Sequence, residues 1–211
     1  MRTIMTLNAK GGCGKSTLAT NLASFYADQG ASVTLADLDD QQSSLTWLSN
    51  RPGDRPAIHG IDATRQALRV PRGTDVLILD APAAIHGSEL TALVRRAETL
   101  LVPVLPSPLD IRAGARFIGE LLTVGKVSRK QSRLAVVANR VRQNTRVYQS
   151  LEAFLNSLRI PFPATLRDTQ NYIRAAERGL GIGEMAPSAV QTDLEQWQPL
   201  LRWLKSKRSR A

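Results

Sequence analysis

The segment AKGGCGKST at residues 9–17 has the composition of a phosphate-binding loop. Small residues at positions 11, 12 and 14 let successive backbone N–H groups point at one triphosphate, and a helix that follows adds its positive N-terminal end. Lys15 is placed to reach the β and γ phosphates, and the Ser16 hydroxyl to bind Mg²⁺. The expected nucleotide contacts are Gly11, Gly12, Cys13, Gly14, Lys15, Ser16 and Thr17. Two departures need an explanation: Ala9 stands where the first glycine is usual, and a second lysine, Lys10, follows it.

Carboxylates that suit the same site follow two predicted strands. Asp37 and Asp39 come after the apolar run that ends at residue 36, and Asp80 ends the run VLIL. Ligands gather at the carboxyl ends of parallel strands, so the loop and these carboxylates are predicted neighbours. We expect Asp80 to hold Mg²⁺ through water, and Asp39 to orient the attacking water and to lie close to the metal.

Strands and helices alternate along the chain. The predicted strands are 2–7, 32–36, 75–79, 99–105 and 133–138, and the predicted helices are 16–29, 43–50, 87–97, 109–125 and 145–158. This alternation predicts the α/β class, with a mostly parallel, twisted β-sheet covered by helices on both faces. Together with the loop it predicts a P-loop nucleoside triphosphatase in a single domain over residues 1–211, with a basic tail from about 205 to 211.

The composition narrows the function classes. A chain of 211 residues that is 43% hydrophobic can bury a core without disulfides or structural metals. The single cysteine, Cys13, excludes a disulfide framework and thiolate clusters. Its place at a helix N-terminus can lower a thiol pKa, so redox control is one alternative. The opening residues contain too short an apolar run for a signal peptide, which predicts a cytoplasmic protein.

The charge is strongly positive. The net charge is +10, from 28 Lys and Arg against 18 Asp and Glu. Residues 112–146 contain nine Lys or Arg against one acid, Glu120, and the chain ends in KSKRSRA. Such a surface attracts polyanions, namely nucleic acid or anionic lipid. A solvated basic face without a partner is the alternative.

Four segments resemble the ParA/MinD group of ATPases. KGGCGKST matches that group's deviant P-loop, KGGxGK[ST]; DLDDQQSS (37–44) resembles its DxDPQxS segment, DAPA (80–83) its DxPP switch, and PVLPSPLD (103–110) a proline-rich stretch of small partition ATPases. The resemblance runs from residue 2 to about 185. Asp40 and Ala83 stand where the group usually has proline, which affects the local geometry, the hydrolysis rate and the mobility of the switch.

The resemblance accounts for the extra lysine. Members of this group form nucleotide-sandwich dimers, in which the equivalent of Lys10 crosses the interface and contacts the phosphates bound by the other subunit. Lys10 is then a nucleotide-binding and catalytic residue alongside Lys15 and Asp39. The resemblance also assigns adenine contact to Asn139, against the alternative of an ordinary strand-end turn. It implies slow ATP hydrolysis that a partner protein stimulates.

The partners implied by the resemblance are a homodimer formed with ATP, non-specific double-stranded DNA of the nucleoid, and a ParB-like or cargo-adaptor protein. The cycle would segregate or position a plasmid, a chromosomal locus or a protein body such as a carboxysome or chemotaxis cluster. By position and charge, the candidate DNA contacts are Arg167, Arg174, Arg178, Lys205, Lys207, Arg208 and Arg210.

Two alternatives to a DNA-bound switch stay open. Val190, Leu194, Trp197, Leu201 and Leu204 recur at helical spacing before a basic end, as in an interfacial membrane helix of the MinD branch, although Pro199 should bend or split that helix. Packing of the helix on the core is the other explanation of this pattern. A metabolic enzyme, such as an ATP-dependent synthetase, would need a second constellation of chemical groups, and the isolated His59 and His86 do not supply one.

Overall fold

The computed structural model describes residues 1–64, 68–124, 127, 129 and 131–210. Within them, seven parallel strands form one sheet in the order β3-β2-β4-β1-β5-β6-β7. The strands are β1 (Arg2–Thr6), β2 (Val33–Asp37), β3 (Ile58–Asp62), β4 (Val76–Asp80), β5 (Thr99–Val104), β6 (Arg133–Val141) and β7 (Ala164–Arg167). The helices are α1 (Lys15–Asp28), α2 (Ser43–Ser49), α3 (Gly87–Val94), α4 (Pro108–Thr123), α5 (Arg146–Ser157), α6 (Asn171–Glu177) and α7 (Pro187–Lys205).

Helices cover both faces of this sheet. On one face α3, α4 and α5 pack on the sheet, with Leu90, Phe117 and Leu151 buried in that layer. On the other face α1, α2 and α7 do so, with Leu22 and Trp197 fully buried. The strands are apolar on both sides because each face lies under helices, as expected for a parallel sheet. The predicted fold class is confirmed.

The strand register places the C-terminal ends of β1, β2 and β4 side by side in the sheet. Thr6 at the end of β1 and Asp37 at the end of β2 both have Asp80 of β4 as their Cα partner. The loop that leaves β1 therefore starts directly beside two buried carboxylates. We use "carboxyl edge" for this end of the sheet and "amino edge" for the end where the strands begin.

Most predicted elements are present, with shifted ends. The helix predicted over 87–97 ends at Val94, and the predicted end of the helix over 109–125 lies outside the described residues. Three elements were missed: β3, β7 and α6. All three are short, and β3 is half-exposed, with a sequence (IHGID) that contains no apolar run. Periodicity is too weak a signal over such lengths.

The C-terminal helix corrects one prediction. Pro199 does not split it, because α7 is continuous from Pro187 to Lys205. Buried neighbours on either side, Trp197 and Leu200, fix the helix against the sheet, and tertiary packing of this kind outweighs the lost backbone hydrogen bond. The apolar stripe that suggested a membrane surface is the face that packs on the core.

Candidate functional site

The loop at residues 9–14 connects β1 to α1 at the carboxyl edge. Gly12 and Gly14 adopt positive φ angles of 74° and 99°, which a residue with a side chain rarely adopts. A Cβ on Gly14 would also overlap the side-chain amide of Asn139. That amide donates to the Cys13 carbonyl at 2.8 Å, so Asn139 fixes the loop backbone from the end of β6. Its predicted contact with adenine stays a prediction.

Both lysines of the loop contact groups of the same chain. Lys15 is 6% exposed, and its ammonium donates to the Lys10 carbonyl at 3.4 Å. The Lys10 ammonium lies 2.5 Å from Oδ1 of Asp110, in the first turn of α4. The ammonium groups of both lysines thus have a partner in their own subunit, and the sequence analysis predicted neither contact.

Two carboxylates lie under the loop in different environments. Asp37 accepts hydrogen bonds from Ser44 and from nearby backbone N–H groups, so it anchors the start of α2. Asp80 is 1% exposed, and its Oδ2 makes no hydrogen bond within the described residues. Burial raises the pKa of Asp80 to about 7. The Ser16 hydroxyl and the Lys15 charge lower this pKa, and the Asp37 charge raises it.

The loop opens into a cleft of about 750 Å³. Its lining includes Lys15, Ser16 and Thr17 from the loop and α1, and Asp39 from the segment after β2. Asp39 is half-buried, and its Oδ1 accepts from the backbone N–H of Gln41 at 3.0 Å. Thr17 also lines an adjoining groove of about 350 Å³, together with Asn139. The site thus has a polar cleft beside the loop and a smaller groove that adjoins it.

Asp80 and the cleft-lining Ser16 together offer oxygen ligands that fit a divalent cation. Among the described residues, Oδ2 of Asp80 is buried with no donor at hydrogen-bonding distance, while the hydroxyls of Ser16 and Ser44 are close enough to lower the pKa of the carboxyl group. Hard cations such as Mg²⁺ prefer oxygen ligands of this kind and retain several waters. Mg²⁺ would compensate the buried charge of Asp80, which no protein cation in the described residues contacts directly.

The environment of the Cys13 thiol does not lower its pKa, contrary to the alternative that its place at a helix N-terminus suggested. The thiol is 1% exposed, and burial raises its pKa. The nearby Lys15 charge lowers this pKa by less than burial raises it. The thiol donates to the Lys10 carbonyl at 3.2 Å. A lowered thiol pKa, and with it redox control through a reactive thiolate, is therefore wrong for this residue.

The predicted DNA contacts do not form one surface. Arg174 and Arg178 are exposed on and after α6, near the carboxyl edge. Arg167 forms a two-pronged ion pair with Asp193 of α7, at 2.6 and 3.0 Å, and lines the groove that adjoins the cleft. Another four are exposed beside the start of β1, and we name them the amino-edge patch: Lys205, Lys207, Arg208 and Arg210. Two lysines of the basic 112–146 stretch, at 126 and 130, lie outside the described residues.

The amino-edge patch belongs to a folded tail. The Arg2 guanidinium donates to the Leu204 carbonyl and, at 2.7 Å, to the Ser209 hydroxyl. Thr99 donates to the Ser209 carbonyl at 2.6 Å, and Arg133 to the Arg210 carbonyl at 2.9 Å. The backbone of the tail is therefore held in place, and the basic side chains on it are exposed.

Sequence reasoning missed two contributors to the site. Asp110 belongs to the segment PVLPSPLD but received no role, and only the Ser107-x-x-Asp110 spacing, typical of a helix cap, hinted at a fixed side chain. Arg140 lines both the cleft and the groove. It directly follows Asn139. Its φ angle is positive, at 51°, and no sequence pattern predicts this conformation. Within the described chain no cluster of three or more His, Cys, Asp or Glu is arranged to hold a metal ion, and His86 pairs with Glu120 at 2.8 Å.

The cleft and sheet define a nucleotide-binding P-loop protein, and comparison with known proteins identifies its family. The chain belongs to the CobQ/CobB/MinD/ParA nucleotide binding domain family, which it matches over residues 4–182. The predicted family, fold class and ATPase activity are thereby confirmed. Among the described residues, no helix combines the length and apolar character needed to cross a bilayer.

Three relatives illustrate the similarity. The chain is 25% identical over 190 residues to the maintenance of carboxysome distribution protein A of Halothiobacillus neapolitanus, covering 87% of each chain. It is 33% identical over 138 residues to the chromosome-partitioning ATPase Soj of Thermus thermophilus, covering 49% of this chain and 55% of Soj. Its fold matches apo McdA from Cyanothece with a TM-score of 0.73 at 15% identity, over 95% of this chain and 99% of the other.

Proposed function

We propose that this protein is a ParA-type ATPase that forms an ATP-dependent dimer, binds non-specific DNA in that state, and is released from DNA by partner-stimulated hydrolysis, so that a cargo is segregated or positioned. The observation that carries the proposal is the placing of Lys15, Ser16 and Asp39 around one cleft, with the second lysine of the loop beside it. The carboxysome-distribution and chromosome-partitioning relatives support the cargo-positioning part.

Each residue of the cleft has a defined task. The loop N–H groups and Lys15 bind the triphosphate, and Lys10 reaches the phosphates held by the partner subunit. Ser16 and Asp80 hold Mg²⁺, which neutralises phosphate charge when bound. Asp39 orients the attacking water, since it lines the cleft from the segment after β2. The nucleoside lies in the groove beside Thr17 and Asn139.

DNA binding is assigned to the amino-edge patch and to Arg174 and Arg178. These side chains are exposed, and the backbone that carries the patch is pre-ordered by Arg2 and Arg133, which reduces the backbone entropy lost on binding. Contacts of Lys and Arg with phosphates are independent of sequence and are weakened by salt. We leave Arg167 out of this surface because its ion pair with Asp193 fixes α7 to the end of β7.

The first experiment tests the dimer. Light scattering after gel filtration should show a monomer without nucleotide and a dimer with a non-hydrolysable ATP analogue and Mg²⁺. Lys15→Ala should lose nucleotide binding, and Lys10→Ala should bind the analogue but stay monomeric. Lys207→Ala is the control, because it removes the same charge at the amino edge. A wild-type protein that stays monomeric when saturated with nucleotide would overturn the proposal.

The second experiment tests DNA binding. Fluorescence anisotropy with a random duplex should show ATP-dependent binding that weakens steeply with salt and persists in Asp39→Ala, which cannot hydrolyse. Replacing the amino-edge patch, or Arg174 with Arg178, by alanine should weaken binding, whereas Arg72→Ala, an exposed control, should not. Sedimentation with anionic lipid vesicles is the counter-test. ATP-dependent binding to vesicles and not to DNA would contradict the proposed partner.

A further inference from the structure

Asp110 is a buried carboxylate held in one orientation. It lies in the first turn of α4, whose N-cap residue, Ser107, accepts from the Asp110 backbone N–H at 3.1 Å. The Ser107 hydroxyl also donates to Oδ2 of Asp110 in a short hydrogen bond. The residue is 8% exposed. With Oδ2 occupied, Oδ1 is directed at the loop, where the Lys10 ammonium lies 2.5 Å away.

The backbone of Lys10 is fixed, and its side chain is less so. Its N–H donates to Oδ1 of Asn8 at 3.1 Å, and its carbonyl accepts from Lys15 and from the Cys13 thiol. The side chain is 39% exposed, and Asp110 is its ion-pair partner among the described residues. Lys10 can therefore exchange partners by side-chain rotation alone, without rearrangement of the loop.

We propose that Asp110 is a positioning residue that holds Lys10 on its own subunit until nucleotide-dependent dimerisation draws the ammonium away. This inference rests on the proposed function, in which Lys10 contacts phosphates across the dimer interface. A lysine pointing into the partner's site must leave Asp110, and the carboxylate then stays buried with Ser107 as its remaining contact. Leaving a buried charge without its counter-ion is costly, so the ion pair opposes dimerisation.

The contact itself is testable without nucleotide. In the nucleotide-free monomer, mass spectrometry should show that Asp110→Asn raises the acetylation rate of Lys10, because an ammonium released from its carboxylate is freer to react. Glu195→Gln removes one charge from the surface of α7 and should leave that rate unchanged. Urea unfolding identifies any loss of folding in Asp110→Asn. An unchanged Lys10 rate in a folded variant would show that Asp110 does not hold the lysine.

The opposing effect on the dimer is measured with the non-hydrolysable analogue and Mg²⁺. Asp110→Asn should lower the dimer dissociation constant by about five-fold, the range of a partly exposed ion pair. A variant that merely damaged the structure would weaken the dimer. The double variant Lys10→Ala/Asp110→Asn should stay monomeric like Lys10→Ala, because the gain from Asp110→Asn depends on the released Lys10 ammonium.

The outcomes separate the two proposals. If Lys10→Ala weakens the dimer but Asp110→Asn does not strengthen it, the role of Asp110 is wrong and the proposed function stands. If Lys10→Ala dimerises like the wild type, the cross-subunit lysine of the proposed function is wrong, whatever Asp110 does.

Discussion

Asp37 and Asp80 occupy equivalent places in the fold and have opposite environments. Each ends one of two neighbouring parallel strands, the two are Cα partners, and their exposures are 0% and 1%. The donors to Asp37 are the backbone N–H groups of Asp39, Ser44 and Leu45 and the hydroxyl of Ser44, at 2.7 to 3.3 Å. In the described chain, Oδ1 of Asp80 accepts a long hydrogen bond from Thr6 at 3.4 Å, and Oδ2 has no donor at hydrogen-bonding distance.

The difference teaches that donors, and not burial or strand position, decide which carboxylate is structural. Asp37 has its donors built into the chain that follows it. Asp80 has no such set of backbone donors among the described residues, and burial raises its pKa to about 7 even though the hydroxyls of Ser16 and Ser44 lower it. A buried group left without partners lowers stability, and such groups concentrate at functional sites, where a ligand completes them.

The largest expected effect comes from Asp37→Ala. It leaves the N–H groups at the start of α2 without their acceptor in a buried position, which should lower the free energy of unfolding by about 3 to 5 kcal/mol. Urea unfolding of the nucleotide-free protein measures this change. Asp37→Asn, which keeps an acceptor oxygen, is the control and should lose less. A loss below about 1 kcal/mol in Asp37→Ala would remove the structural role and make the two aspartates alike.

A change of opposite sign is expected at Asp80. Its folded-state pKa of about 7 lies above the ordinary value of 3.8, so the wild type loses stability as the pH rises through this interval, and the full penalty is present above it. Asp80→Asn cannot ionise, and should be more stable than the wild type in EDTA at pH 8, by roughly 1 to 3 kcal/mol, with a smaller gain at pH 5. The same variant should lose Mg²⁺-dependent ATP binding. An equal gain in stability at pH 5 and pH 8 would contradict the raised pKa of the Asp80 carboxyl group.

The phosphate-binding loop and the buried strands could be predicted from the sequence. The loop at 9–17 was identified because its function lies in contiguous backbone and small residues, and the strands β1, β2 and β4 because they are apolar runs. The meeting of loop and carboxylates followed from the rule for parallel strand ends, and the cleft agrees with it for Asp39.

Contacts between distant segments could not be predicted in this way. Lys10 and Asp110 are 100 positions apart, and their contact depends on how α4 is seated beside the loop. The missing donor to Oδ2 of Asp80 is likewise a result of packing. In the sequence, Asp37 in DLDD and Asp80 in DAPA look alike, because each is an acid at the end of a strand. Pro199 shows that a local signal can also mislead. Proline predicts a bent or split helix, but core packing keeps α7 continuous.

A smaller effect is expected from Ser44→Ala. The Ser44 hydroxyl donates to Asp37 at 2.7 Å, while the backbone N–H of the same residue donates independently at 2.9 Å. Removing the hydroxyl should cost about 1 to 2 kcal/mol, because one hydrogen bond to a charged acceptor is lost and the others remain. Thermal unfolding at neutral pH measures it, with Ser43→Ala, a change at the preceding residue of α2, as the control. An effect as large as that of Asp37→Ala would mean that the hydroxyl alone carries the anchor.

The smallest effect should come from Thr6→Val, the corresponding change beside Asp80. Thr6 is fully buried, and its hydroxyl makes only long hydrogen bonds, at 3.4 Å to Asp80 and 3.5 Å to the Leu79 carbonyl. Valine has nearly the same shape, so the free energy of unfolding should change by less than about 1 kcal/mol, and the fall in stability between pH 5 and pH 8 should persist. If Thr6→Val were as costly as Ser44→Ala, the Asp80 carboxylate would be anchored by its strand neighbour, and its availability to a cation would no longer follow from a missing donor.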